Sequence, residues 1–200
     1  MLSEKYKEAL LYAMNLHKDQ IRKGSNIPYF THLMSVSSLV IENGGTEVEA
    51  IAALLHDAVE DQGGMQTANE IKEKFGDEVF EIVLGCSDST VENKNEKQEW
   101  MERKQNYRNH LEKASESVKL VSAADKLHNI RSIYHDLKLV GPDVWNRFGA
   151  SRIDILSNYR KLAKIYTENS NRNSVNNIGY EIFNVISNIE FLFRIHFFPI

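Results

Sequence analysis

Apolar residues recur every three to four positions along almost all of this 200-residue chain, a spacing that favours helices over strands. Three prolines and ten glycines leave few breaks, so an all-α fold is expected. The pattern predicts a helix from Glu4 to about Gln20, a loop at Gly24-Ser25-Asn26-Ile27-Pro28, and a second helix from about Thr31 to Ile41, closed by Asn43-Gly44-Gly45. Thr46 and Glu49 form a capping box that opens a helix running to about Asp61. Thr67 with Glu70 reads as a second capping box, for a short helix ended by Phe75-Gly76, and another helix follows from Asp77 to about Ser87.

Beyond that point, Asp88 to Gln105 is charged and poor in apolar residues, which predicts a solvated loop running into a surface helix. Helical spacing returns over Trp100–Ala114 and Glu116–Leu139. Gly141-Pro142 makes a turn, with Pro142 opening a helix to about Tyr166 that has a candidate break at Gly149. Asn169 to Asn177 reads as a polar loop. The last helix, Tyr180 to about His196, is apolar enough to be either core or a subunit interface, the latter making the chain a homodimer. No repeat and no second domain are evident. Residues 1–200 are expected to form one domain, with a core at about 4–166 and a C-terminal helical extension at about 177–197.

Composition limits the functions available. A net charge of −4 with pI near 6.0 argues against a nucleic-acid binder, which needs a basic face. One cysteine, Cys86, precludes an intramolecular disulfide and suits a reducing, cytoplasmic setting. It lies in the apolar run Val83-Leu84-Gly85-Cys86 and reads as a small buried hydrophobe rather than a nucleophile. The N-terminus lacks the basic-then-apolar order of a signal peptide, and no apolar run is long enough to span a membrane.

Against this background, His32, the pair His56-Asp57 and Asp125 stand out. Two imidazoles and two carboxylates make a mixed nitrogen and oxygen donor set, suited to a borderline or hard divalent metal such as Mn²⁺. Neighbours on a helix point about 100° apart, so His56 and Asp57 can share an ion only at an edge of the helix or near its end. Glu60 and Asp61 follow at the spacing that returns to the same face. Burying so many acids together is costly without a cation. Such a cation would lower the pKa of a coordinated water, and Glu60 and Asp61 could orient that water or take its proton. Taken singly, each of these residues is more often structural than catalytic, and it is the set that points to a metal site. His17 and His128 lie near the motifs and could support a ligand, but a structural role is the commoner one for all four remaining histidines, and His110 and His135 read as surface residues.

Four stretches, Gln20-Ile21-Arg22-Lys23-Gly24, Pro28-Tyr29-Phe30-Thr31-His32, Ala52 through Asp61, and Ala124-Asp125-Lys126-Leu127-His128-Asn129-Ile130-Arg131, resemble the hydrolase domain of the RelA/SpoT family within the HD superfamily. Chains holding only that domain are the small alarmone hydrolases. The resemblance implies an HD helical domain that removes the 3′-pyrophosphate of guanosine tetra- or pentaphosphate (ppGpp, pppGpp), giving GDP or GTP and pyrophosphate, with Mn²⁺. It implies His32, His56, Asp57 and Asp125 as metal ligands and Glu60 and Asp61 as the catalytic pair. Arg22, Lys23, Ser25, Asn129 and Ser132 would contact the nucleotide. Leu33 stands where the family usually has Pro, and Ser132 where Thr is common. The chain is too short to hold the long synthetase and regulatory regions of the bifunctional enzymes. Two other readings stay open: a phosphohydrolase for NADPH or a (d)NTP, and a silent nucleotide-binding module.

Overall fold

The structure, a computed structural model, describes residues 2–87 and 99–197. Ten α-helices account for nearly all of it: α1 (Glu4–Leu16), α2 (Phe30–Glu42), α3 (Glu47–Leu55), α4 (Ala58–Asp61), α5 (Gly64–Phe75), α6 (Asp77–Cys86), α7 (Trp100–Lys113), α8 (Glu116–Val140), α9 (Arg152–Glu168) and α10 (Asn173–Leu192). A 3₁₀ turn, Gly141–Arg147, joins α8 to α9. Among the described residues there is no strand beyond one isolated bridge, Ile21 to Pro28. The expected all-α class holds, and no described helix is long and apolar enough to cross a membrane.

The central element is α8, 25 residues with its first half almost wholly buried, from Val118 through Asp125. It packs against α2, α3, α6, α9 and α10. A helix contacted on so many sides carries apolar residues all round, here Leu120, Val121, Ala123, Ala124 and Leu127. The N-terminus of α3 is built as the sequence implies: Thr46 Oγ1 accepts from Glu49 N–H, and the Glu49 carboxylate accepts from Thr46 N–H at 2.7 Å.

Elsewhere the boundaries differ from the sequence pattern. The helix expected from Thr46 to Asp61 is two helices, broken at His56-Asp57, where Asp57 adopts φ −96°, ψ −3°. Thr67 is no N-cap. It is buried inside α5, and its hydroxyl donates to Gln62 O at 2.6 Å. The turn is made earlier, by Gly63 and Gly64 with φ of +119° and +57°, a region that favours glycine. Pro142 opens the 3₁₀ turn rather than a long helix, and α9 begins only after Ser151, whose hydroxyl caps Asp154 N–H. The polar segment Asn169–Asn177 already contains the start of α10, because Val175 and Ile178 face the core and Arg172 is tied to Glu49 and to Gly44 O. The C-terminal extension therefore starts at Asn173, not near residue 177. Its Ile182, Val185, Ile186 and Ile189 belong to the same apolar core as the other helices, and a π-helical turn, Phe193–Phe197, follows. The α1 helix ends at Leu16, four residues before its expected limit. Residues 88–98 of the expected charged loop lie outside the described residues.

Candidate active site

Three segments of the chain meet at one buried point. His32 comes from the first turn of α2, His56 and Asp57 from the break between α3 and α4, and Asp125 from the middle of α8. Donor atoms of His32, His56 and Asp57 all lie within 4.8 Å of one another. Asp125 Oδ1 lies 3.2 Å from His32 Nε2 and 3.6 Å from His56 Nε2, while Asp57 Oδ2 lies 3.6 and 3.0 Å from the same atoms. Both Nε2 atoms are buried without a well-aligned hydrogen-bond partner despite these close oxygens. Donors that converge without bonding one another suit a shared cation, since ligands about 2.1 Å from one ion sit about 3.0–3.4 Å apart.

Neighbouring groups orient each candidate ligand, as metal sites require. His56 Nδ1–H donates to Ala53 O at 2.8 Å, which turns Nε2 toward Asp57 and Asp125 and occupies a carbonyl at the helix break. His32 Nδ1 lies 2.8 Å from His128 Nδ1. Tyr29 Oη–H donates to Asp57 Oδ2 at 2.5 Å, and Lys126 Nζ and Asn129 Nδ2 donate to the two oxygens of Asp125, each at 2.5 Å. Burial opposes the charged form of His56, but Asp57 and Asp125 outweigh it and hold its pKa well above the usual value. Burial likewise works against the Asp57 and Asp125 carboxylates. His56 and His32 overcome it for Asp57, Lys126 and both imidazoles overcome it for Asp125, and both stay well below the usual range. Burial and His32 pull His128 down to about 4.

The centre opens into a two-lobed cleft. The metal lobe, about 560 Å³, is lined by Asp57, Glu60, Asp61 and Asp125 and by the cations Arg103, Lys104 and Lys126. Glu60 Oε1 lies 4.0 Å from Arg103 Nη1, and Asp61 Oδ2 accepts from Gln20 Nε2 at 2.8 Å. The second lobe, about 610 Å³, carries Arg22, Ser25, His128, Arg131, Ser132 and Arg147. Lys23, Tyr29, Asn129, Ile133, Phe148 and Tyr159 face both. Arg22 is presented by a small hairpin closed by Arg22 N–H to Ile27 O (2.8 Å) and Tyr29 N–H to Gln20 O (2.9 Å).

All eleven residues singled out from the sequence thus lie at this centre or line the cleft around it. Three have their polar groups occupied within the protein: Asn129 bridges Asp125 to Arg22, Ser132 Oγ–H donates to His128 O at 2.9 Å, and Ser25 Oγ–H donates to Arg22 O at 3.3 Å. Of the remaining histidines, His17 is buried and His110 exposed, and exposed His135 lines the second lobe. Cys86 borders the metal lobe with its thiol pKa pushed up by burial, which agrees with a non-nucleophilic role. The sequence reading gave no role to Tyr29, Lys126, Gln20, Arg103 or Arg147. Tyr29, Lys126 and Gln20 fall inside the motif stretches, which was the available signal. Arg103 and Arg147 had none.

The HD domain profile matches residues 9–156, a span that contains every ligand candidate. The chain belongs to the HD domain family. A guanosine-3′,5′-bis(diphosphate) 3′-pyrophosphohydrolase, MESH1, of Xenopus tropicalis is 38% identical over 142 residues, 70% of this chain and 73% of that protein. The Danio rerio counterpart is 37% identical over 142 residues, 70% of this chain and 72% of its own length. A GTP pyrophosphokinase of Brucella melitensis is 34% identical over 132 residues, 63% of this HD domain chain but 16% of that longer protein. Among solved structures, a metazoan ortholog of SpoT that hydrolyses ppGpp superposes with a TM-score of 0.74 at 26% identity, covering 94% of this chain and 97% of that one. The resemblance to RelA/SpoT-type hydrolase domains drawn from the motifs is therefore matched by whole-domain similarity.

Proposed function

We propose that this chain is a metal-dependent hydrolase of the 3′-pyrophosphate of ppGpp and pppGpp, releasing pyrophosphate and GDP or GTP. The observation that carries this reading is the joining of a two-His, two-Asp centre and an adjacent acidic pair to a lobe rich in cations. His32, His56, Asp57 and Asp125 would hold the cation. Their nitrogen and oxygen donors, with no thiolate, favour Mn²⁺ or a similar divalent ion. When bound, that cation supplies Lewis acidity at the scissile phosphate.

The chain's own residues do the rest. Glu60 and Asp61 border the centre, where they orient the attacking water and accept its proton. The water oxygen joins the phosphorus attached to the 3′ oxygen, the bond to that oxygen breaks, and the 3′ oxygen leaves with GDP or GTP, taking the proton that the acidic pair had accepted. Lys126, Lys104 and Arg103 offset the negative charge of the pyrophosphate as it passes to the water. Arg22 and Lys23 on the hairpin, with Ser25, Asn129 and Ser132 around them, hold the nucleotide in the second lobe. Residues 1–200 act as one domain in this reading, with α10 as core rather than interface, since its apolar face packs on α8 and α9.

The test is release of GDP and pyrophosphate from ppGpp by purified protein with Mn²⁺, beside Asp57→Ala. Turnover by the wild type alone supports the reading. A metal-loaded protein that leaves ppGpp intact overturns it, and the same preparation assayed on NADPH and nucleoside triphosphates would then identify another substrate.

A further inference from the structure

Asp61 ends α4, a helix of four residues, and its side chain is exposed. A side chain from beyond the end of α1 reaches across to it. Gln20 Nε2 donates to Asp61 Oδ2 at 2.8 Å. Gln20 Oε1 meets two more nitrogens, Gln62 Nε2 at 2.7 Å and His17 Nδ1 at 2.6 Å.

An amide oxygen only accepts, so both of those nitrogens carry hydrogen. A flipped Gln20 amide would set its oxygen against the Asp61 carboxylate, so that carboxylate fixes which end of the amide faces it, and His17 Nδ1–H and Gln62 Nε2–H hold the other end. The assignment also fixes the His17 tautomer, with the proton on Nδ1, while Nε2 is buried without a partner. The ring is itself held: it is 1% exposed and stacks on Tyr29 with centroids 5.5 Å and planes 21° apart. Tyr29 in turn bonds Asp57, so the chain of contacts runs from the metal centre round to the acidic pair.

We propose that Gln20 is a positioning residue for Asp61, its amide held at the oxygen end by His17 and Gln62 so that the carboxylate bonded to its other end stays aimed into the metal lobe. The role rests on the reading of Asp61 as a proton acceptor for the attacking water. Gln20 acts through Asp61 and touches neither metal nor substrate.

The experiment measures kcat and KM for ppGpp with Mn²⁺, together with Tm, for Gln20→Met, His17→Phe, Asp61→Asn and the Gln20→Met/Asp61→Asn pair. Methionine keeps the length and apolar stem of Gln20 but removes donor and acceptor. Losing a hydrogen bond to a charged group corresponds to a fall in kcat of about 10- to 100-fold. KM should stay within about twofold, because substrate binding is not what is lost. His17→Phe keeps the ring on Tyr29 but frees the amide, and should give a smaller fall in kcat. In the Asp61→Asn background, followed by single turnover, Gln20→Met should cost nothing further, a non-additivity that a purely structural residue would not show. An inactive Asp61→Asn beside a Gln20→Met with unchanged kcat overturns the positioning role alone, as do additive losses in the pair. A fully active Asp61→Asn overturns the proton-accepting role of Asp61 and the positioning role with it, whereas a wild type without turnover overturns the hydrolytic reading as well.

Discussion

Gly24 and Gly44 form a matched pair for testing how the basic hairpin is held. Their φ angles are +75° and +73°, so alanine at either meets the same left-handed backbone cost, about 1–2 kcal/mol. Their surroundings differ. A Cβ at Gly44 would have nothing within 4 Å, whereas one at Gly24 would lie 2.3 Å from Arg147 Cδ and 2.5 Å from Arg147 Nε. Arg147 is not free to swing aside, because Nη1 is paired with Asp136 at 2.5 Å and both side chains are half-buried. Gly24→Ala must therefore break that pair or push the hairpin off the 3₁₀ turn, adding about 1–3 kcal/mol of overpacking to the backbone cost. In a domain of this size each kcal/mol shifts Tm by about 2–4 °C, so Gly24→Ala should melt about 6 °C below Gly44→Ala. The entropic benefit of alanine in the unfolded chain is common to both and cancels. Calorimetry gives the two Tm values, and steady-state kinetics the companion signature: a raised KM for Gly24→Ala, whose hairpin carries Arg22 and Lys23, and an unchanged KM for Gly44→Ala. In an Arg147→Ala background the two glycine substitutions should cost the same. Equal Tm shifts in the wild-type background, or an unchanged KM for Gly24→Ala, would refute the steric argument.

Adding Mn²⁺ to chelator-treated protein should raise stability by about 2.7 kcal/mol at a hundredfold excess over Kd. The rise should vanish in Asp57→Asn, and its persistence there would place the cation elsewhere. His128, held at about 4 by burial and His32, titrates in the unfolded chain near 6.5, so its contribution is present above 6.5 and lost as pH falls toward 4. The stability difference between wild type and His128→Asn, from urea titrations at pH 7 and 4.5, should therefore shift against the wild type at the lower pH, and a constant difference would sink the assignment. Ile186→Ala in α10, whose side chain is 1% exposed, should cost about 2–5 kcal/mol, while Phe191→Ala, 65% exposed, should stay within about 0.5 kcal/mol. Equal costs in denaturant would show that α10 does not pack as described.

The readable part of this chain was the part whose chemistry is local. The Thr46–Glu49 capping box lies within four residues and forms as its spacing implies. The convergence of His32, His56, Asp57 and Asp125 was legible because each is costly to bury alone, so their joint presence asked for a common purpose. The break at His56-Asp57 was not, since the apolar helical spacing carries on across it from Leu54 and Leu55 to Ala58. What bends the chain is the turn from His56 to Ala53 O and the packing of both residues toward α8. Thr67–Glu70 imitates a cap, but the preceding glycine pair had already turned the chain. Asn173 to Asn177 looked like a loop because its polarity hides the two positions, Val175 and Ile178, that meet the core. Arg147 could not be found from sequence, because its place in the cleft depends on the hairpin tip carrying no side chain.

The length of α8 has one more consequence. Asp125, Asn129, Ser132 and Asp136 follow one another at helical spacing along a single stripe, from the metal centre to the anchor of Arg147. Eleven residues at 1.5 Å each set these ends about 16 Å apart. A continuous helix does not stretch, so the cleft is a ruler: it measures the span between the phosphate being cut and the far end of whatever carries it. A ligand too short to reach both marks gives up one set of contacts, whatever its base, so selection by length precedes selection by chemical identity.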